Sequence, residues 1–397
     1  MTAEVPRSLQ RRSMTSRPRR REGDGTGRVP KFPISSWRRW LLRGVLALPF
    51  IVLVLLLDAA RGGYLQNSTA NASLVATAHE ILARPVSVET VGMLYPPITT
   101  LLAVVVPGGA VGLGAVGALV AGFLLQRLVE WSRRQRQTGI DAIALVLVVG
   151  GTPLFAFLAT TNLEVFLGLA LFALGMIDLV RFVVFANTQA GFRAGLLFAA
   201  AALTAPAFAF SILIAACVAP FLPHSRRGSR AGTALTLAFP TVAAFGSVTI
   251  LGVVFLSDPL FAVDVLHVGF APEQVERTRT FFAQPWAWLY FVPSAGGVVL
   301  AFLRRRPVAA VAPALLMGSI VLMSLAGVLP TGSSGTAFLL VLLAMVAIAP
   351  VGVHGLRTRW TLRLGAVVLL VTGWTSAFLI YRPVDQWMQA LLRGWPF

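Results

Sequence analysis

The sequence predicts an all-α polytopic membrane protein, and three observations predict it. Of 397 residues, 57% are hydrophobic and only 12% are charged, and the mean hydropathy is +0.80, values outside the soluble globular range. Apolar runs recur along the chain, separated by short basic or polar segments. The formal net charge of +18 is also unevenly placed: residues 1–43 hold 12 Arg or Lys against 3 acids. Charge concentrated in one tail, and not spread over a soluble surface, does not argue for nucleic acid.

The elements follow from the runs in order. Residues 1–40, broken by Pro and Gly, predict a disordered cytoplasmic tail without the h-region of a removable signal peptide. Leu41–Leu57 predicts a first span running outward. Pro96–Val106 is apolar but short, a candidate re-entrant helix, and Pro107-Gly108-Gly109 separates it from a full span over Ala110–Leu128. Ile140–Ala159 runs outward, Asn162-Leu163-Glu164 turns, and Phe166–Val180 returns. Residues 194–222 have arginines at both ends yet are too short for two spans, so Pro206 predicts a half-helix hairpin. Thr233–Phe255, Trp288–Phe302, Val308–Leu329, Ala337–Val353 and Leu364–Ile380 complete about nine full spans.

With the N-terminus inside, the inner loops after the first span hold about 15 Arg and 3 acids, and the outer segments about 6 Arg and 9 acids. That asymmetry orients the chain with its C-terminus outside. The domain reading is therefore a tail over 1–40, a transmembrane domain over 41–381 with outer loops at 58–95 and 257–285, and an outer interfacial helix over 382–397. In that last segment Val384, Trp387, Met388, Leu391 and Leu392 share one face. The single Cys217 permits neither a disulfide nor a thiolate metal site.

Most acids fall outside, so chemistry is sought there. Asp58 ends the first span, where a carboxylate is costly unless it has a partner or a task. An ion pair with Arg61 is the plain alternative. Beyond it, Leu74, Ala78, Ile81 and Leu82 share a face of an amphipathic helix over about 70–83, capped from Asn67, Ser68 or Thr69 and expected on the bilayer surface. Asn67-Ser68-Thr69 and Asn71-Ala72-Ser73 fit the glycosylation sequon, a pattern common by chance. Tyr95-Pro96-Pro97 suits either an interfacial helix start or a ligand-facing helix N-terminus. Arg84 pairs more readily with Glu80 at i−4 than with a ligand. Arg277 and Arg279 beside Phe281-Phe282 are anion-binding candidates or interfacial anchors. His79, His267, Asp258 and Asp264 lack the spacing of a metal site, so no cofactor is expected and a divalent cation is not indicated. No phosphate loop and no strand-flanked GxGxxG is present.

Together these features resemble the GT-C superfamily of integral-membrane glycosyltransferases. The carriers are Asp58 after the first span, a juxtamembrane helix before Leu94-Tyr95-Pro96-Pro97-Ile98, Thr161-Asn162 leading into Leu167-Gly168-Leu169-Ala170, and Ala194-Gly195-Leu196-Leu197 through Ala202-Leu203-Thr204-Ala205-Pro206. The resemblance implies transfer of a single sugar from a polyprenyl-phosphate donor to an envelope glycan, lipid or protein on the outer face. It implies Asp58 as general base and Glu164 as second carboxylate, with Arg61, Tyr95, Pro96, Pro97, Arg277 and Arg279 around the substrates. Membrane lipids are partners and nucleic acid is not. Two departures stand: Asp58-Ala59 where many relatives carry Asp-Glu, and no basic residue before Pro206. A transporter or flippase of lipid-linked sugars is the alternative, favoured by broken helices and disfavoured by acids at the boundary instead of the midplane. The Ala- and Arg-rich composition with Lys31 as the one lysine suggests a GC-rich bacterial genome and hence a bacterial plasma membrane.

Overall fold

The computed structural model describes residues 29, 31–60, 62–85, 87–134, 139–221, 229–258, 261, 269, 271–303, 308–328, 334–348, 356–380 and 382–394. The tail before Val29, Arg61, and the loop holding Asp264 and His267 lie outside these residues. Among the described residues every regular element is helical. Four helices are long and apolar enough to cross a membrane, or up to six if each of two bent pairs forms one span. Three shorter apolar helices accompany them, at Phe208–Phe221, Ala310–Leu325 and Thr336–Ile348. The chain is a membrane protein built as a helical bundle.

The first unit is an antiparallel pair, α1 (Ser36–Ala59) and α6 (Gly109–Arg134). Glycines on α6 let the backbones close up. A Cβ at Gly122 would stand 2.4 Å from the Arg43 carbonyl, and one at Gly114 would stand 3.1 Å from Val54. Matching 43 to 122 and 54 to 114 fixes the opposite chain directions. Between these helices lie α2 (Tyr64–Asn67), α3 (Ala70–Ala83), α4 (Val88–Met93) and α5 (Pro97–Val105). At nine residues α5 is about 13 Å long, less than half a bilayer core.

The expected continuous span over 140–159 is broken. It is α7 (Gly139–Gly150) and α8 (Pro153–Thr161), bent by 60°. Pro153 forces Thr152 into an extended conformation (φ −84°, ψ 139°), and Gly150-Gly151 gives no side-chain support to the preceding turn. α9 (Leu163–Phe185) follows and ends where Ala186 turns left-handed at φ 52°. α10 (Thr188–Thr204) is capped by Asn187, whose side chain accepts from the Ala190 N–H at 3.0 Å. It stops one residue before the Ala205-Pro206 bond, and α11 (Phe208–Val218) starts after the proline. The break expected at Pro206 is thus where these helices meet, although the first begins six residues earlier than the sequence suggested.

α12 (Arg230–Leu251) runs on as a π-helical turn over Gly252–Leu256. The rest comprises α13 (Pro272–Ala283), a 3-10 turn over Pro285–Phe291, α14 (Val292–Leu303), α15 (Val308–Leu325), α16 (Ser334–Ile348), α17 (Leu356–Ile380) and α18 (Arg382–Gly394). The most apolar stretch of α9 is 72% buried, against 22% for α1 and 17% for α12. So α9 is the axis of the bundle, and α1 and α12 offer most of their apolar surface to lipid. Around α9 the core is aromatic, with Phe155 edge-on to Phe166 at 5.0 Å and Phe172 stacked with Phe208 at 6.3 Å.

Two helices expected at the bilayer interface bury part of their apolar faces against protein, and Leu82 and Leu392 stay exposed. In α3, Leu74 and Ala78 pack with Ala103, Leu113 and Leu163, while Leu82 is exposed. In α18, Val384, Trp387 and Leu391 are buried. The indole N–H of Trp387 donates to the Thr160 hydroxyl at 3.2 Å, and Gly394 lies against the Leu56 carbonyl of α1.

Candidate functional site

The antiparallel α1–α6 pairing distinguishes two ends of the bundle. At the end holding the start of α1 and the finish of α6 and α9, each acid on a long apolar helix is neutralised. Glu130, 1% exposed, accepts from Arg127 at 2.6 Å, from Gln126 at 2.8 Å and from the Phe32 N–H at 3.0 Å. Asp178, 4% exposed, holds Arg181 at 2.5 Å and Arg193 at 3.4 Å. Asp141 accepts from Arg363 of α17 at 2.9 Å. Charges so deep in a bundle persist only when paired and hydrogen-bonded.

The opposite end is different. Asp58, in the last turn of α1, is exposed and has no hydrogen-bond or ion-pair partner among the described residues. Glu164, in the first turn of α9, is half-buried and likewise without a partner among them. Asn162 caps that helix by accepting from the Val165 N–H at 3.1 Å, so Glu164 is not needed as a cap. Its place at a helix N-terminus still suits a negative charge.

A residue the sequence offered only as a glycosylation sequon ties this end together. Asn71 of α3 is 1% exposed; its amide donates to the Thr160 carbonyl at 3.3 Å, and its oxygen accepts from the Leu163 N–H at 2.8 Å. The α3 helix is therefore bolted to the α8–α9 turn, one residue from Glu164. The 71, 74, 78 spacing put Asn71 on the apolar face and was the available signal. With both ends of its amide engaged, Asn71 is no sugar acceptor in the fold, whereas Asn67 is exposed.

Tyr95 lies at the same end, where Gly92 meets Leu256 at the finish of α12 and Phe261 stands edge-on to the Tyr95 ring at 6.2 Å. Pro96 occupies the N-cap of α5 and Pro97 its first turn. The Tyr95 hydroxyl and the Thr99 hydroxyl are buried without a hydrogen-bond partner among the described residues. Burial pushes the Tyr95 phenol up to about 12, and it does the same to Tyr64 just after α1.

The arginines do not join this group. Arg277 and Arg279 sit on α13 with 67% and 81% of their side chains exposed, near Glu273 at 3.7 Å and Glu276 at 3.8 Å on the same helix. That helix packs on α15 and the 3-10 turn, whereas α1 packs on α2, α6, α8 and α18. Arg84 pairs with Glu80. Arg61 lies outside the described residues. No group of three His, Cys, Asp or Glu able to hold a metal occurs among the described residues.

Comparison with family models, with curated proteins and with solved structures returned no match. The site therefore stands on its own residues.

Proposed function

We propose that this chain is a GT-C-like membrane glycosyltransferase that moves a single sugar from a polyprenyl-phosphate donor to a cell-envelope acceptor. The observation that carries the reading is the contrast between the two ends of the bundle. Glu130, Asp141 and Asp178 at one end are paired and account for themselves as structural charges, whereas Asp58 and Glu164 at the other have no partner among the described residues.

In this reading the Asp58 end faces outward, the chain makes about nine crossings with its N-terminus inside, and the setting is a bacterial plasma membrane. A polyprenyl phosphate is a good leaving group, so inverting transfer needs one carboxylate to take the acceptor hydroxyl proton as the nucleophile forms. Asp58, exposed at the boundary, is that base. Glu164, half-buried beside the α3–α9 junction, orients a sugar hydroxyl. The N-terminus of α5, with the Tyr95 and Thr99 hydroxyls unused, offers donors to the departing phosphate.

The test is transfer of labelled sugar from a polyprenyl-phosphate-sugar pool to total envelope acceptors by protein in lipid discs. Transfer by the wild type that is lost in Asp58→Asn is the expected result. Equal transfer by both would remove Asp58 from the mechanism. No transfer by either, across a broad donor set, would favour transport of lipid-linked sugars instead.

A further inference from the structure

The opposite end of the bundle carries a second, independent feature. Before α1 the chain turns at Phe32–Ser35 and is clasped to α6. The Phe32 N–H donates to Glu130, its carbonyl accepts from Gln126 at 2.9 Å, and Arg43 donates to Gln126 at 2.8 Å. Arg39 closes the turn by donating to the Ile34 carbonyl at 2.9 Å. The clasp fixes the height at which the chain leaves the bundle.

What it leaves on the surface is cationic and aromatic. Trp37 and Trp40 are 63% and 66% exposed. Lys31, Arg38 and Arg133 are exposed, and none of them has a carboxylate partner among the described residues. The nearby Glu130 is buried and already committed. The first turn of α1 holds no acid and no side-chain cap, so its N-terminal dipole adds to the positive field. Arg43 lies 4.4 Å over the Trp40 ring and Arg133 lies 3.6 Å over Phe32. A further 28 residues with eight arginines and three acids lead into the same point.

Indole rings flanked by uncompensated cations at the end of an apolar span match a headgroup layer that carries phosphate. We infer that the collar formed by Lys31, Trp37, Arg38, Trp40 and Arg133 is a binding site for anionic phospholipid headgroups. The indoles seat at the acyl boundary, the cations contact phosphate oxygens, and the clasp to Glu130 holds both at one depth. The inference does not depend on the transferase reading, because it concerns the other end of the molecule.

The full chain is reconstituted in phosphatidylcholine vesicles holding a trace of dansyl-labelled lipid, and energy transfer from tryptophan is compared for dansyl-phosphatidylglycerol and dansyl-phosphatidylcholine. Transfer to the anionic probe should be enriched about fivefold or more, since each cation near the surface favours an anionic lipid by about that factor. Lys31→Gln with Arg38→Gln and Arg133→Gln should bring the two probes close to parity. In the wild type, raising salt from about 0.01 M to about 1 M should do the same, as the screening length falls from about 30 Å to about 3 Å. That arm needs no variant to fold. Parity in the wild type, or full preference in the triple variant, would overturn the inference. So would parity caused by deleting residues 1–28 alone, which would assign the binding to the tail.

Discussion

Replacing Asn71 with alanine tests whether α3 is held by its buried amide. The substitution removes the acceptor from the Leu163 N–H and the donor to the Thr160 carbonyl, at contacts of 2.8 Å and 3.3 Å. Leu163 is fully buried, so its N–H gains no water in exchange. An unsatisfied buried donor costs about 1–3 kcal/mol, and the longer bond adds less. A total of about 2 kcal/mol corresponds to roughly a 30-fold rise in local opening of α3. Hydrogen exchange of the 70–83 amides in detergent reads that factor directly. Asn71→Leu, which fills the space without the hydrogen bonds, should show the same loss and so separates bonding from packing. Unchanged exchange in both variants would refute the reasoning.

Other outcomes follow from the same packing and charge. A Cβ at Gly117 would stand 2.1 Å from the Ala159 carbonyl, so Gly117→Ala should destabilise by about 1–3 kcal/mol in thermal unfolding. Gly246→Ala meets nothing within 4 Å and should be neutral or stabilising. Asp178→Leu removes the buried counter-charge of Arg181 and Arg193 and should cost about 3 kcal/mol or more, read as a lowered melting temperature. Tyr64 and Tyr95 are held neutral by burial, so the fold favours their protonated forms. That contribution is complete below pH 10 and is lost as pH rises toward about 12. Phenolate absorbance should show late-titrating tyrosines, one of them lost in each of Tyr64→Phe and Tyr95→Phe.

Much of the bundle was legible because lipid-facing helices need long apolar runs and their breaks need Pro or Gly. Pro107-Gly108-Gly109 and Pro206 announced their interruptions, and Thr69, which accepts from the Ala72 N–H, announced the start of α3. The bend at Gly150-Gly151-Thr152-Pro153 carried the same chemistry but lay inside an apolar run long enough to hide it. The protein contacts of α3 and α18 were not legible, for one reason. Amphipathicity says that a face is buried, not whether lipid or protein buries it, and in α18 the decision rests on Trp387 reaching Thr160 across 227 residues of sequence. At the site, Asp58 and Glu164 were visible from their positions next to spans. That neither has a partner among the described residues was not, because it depends on what Arg127, Arg363 and Arg181 do elsewhere. Arg277 and Arg279 have Glu273 and Glu276 within one turn of their own helix, at 3.7 Å and 3.8 Å.

The central claim is that Asp58 and Glu164 are reactive groups and that the paired Asp178 is structural. Transfer rate and melting temperature measured together for Asp58→Asn, Glu164→Gln and Asp178→Asn separate the two roles. The account predicts that the first two lose transfer at an unchanged melting temperature, while Asp178→Asn loses melting temperature and keeps its rate per folded molecule. Full transfer in Asp58→Asn, or loss confined to Asp178→Asn, would contradict it.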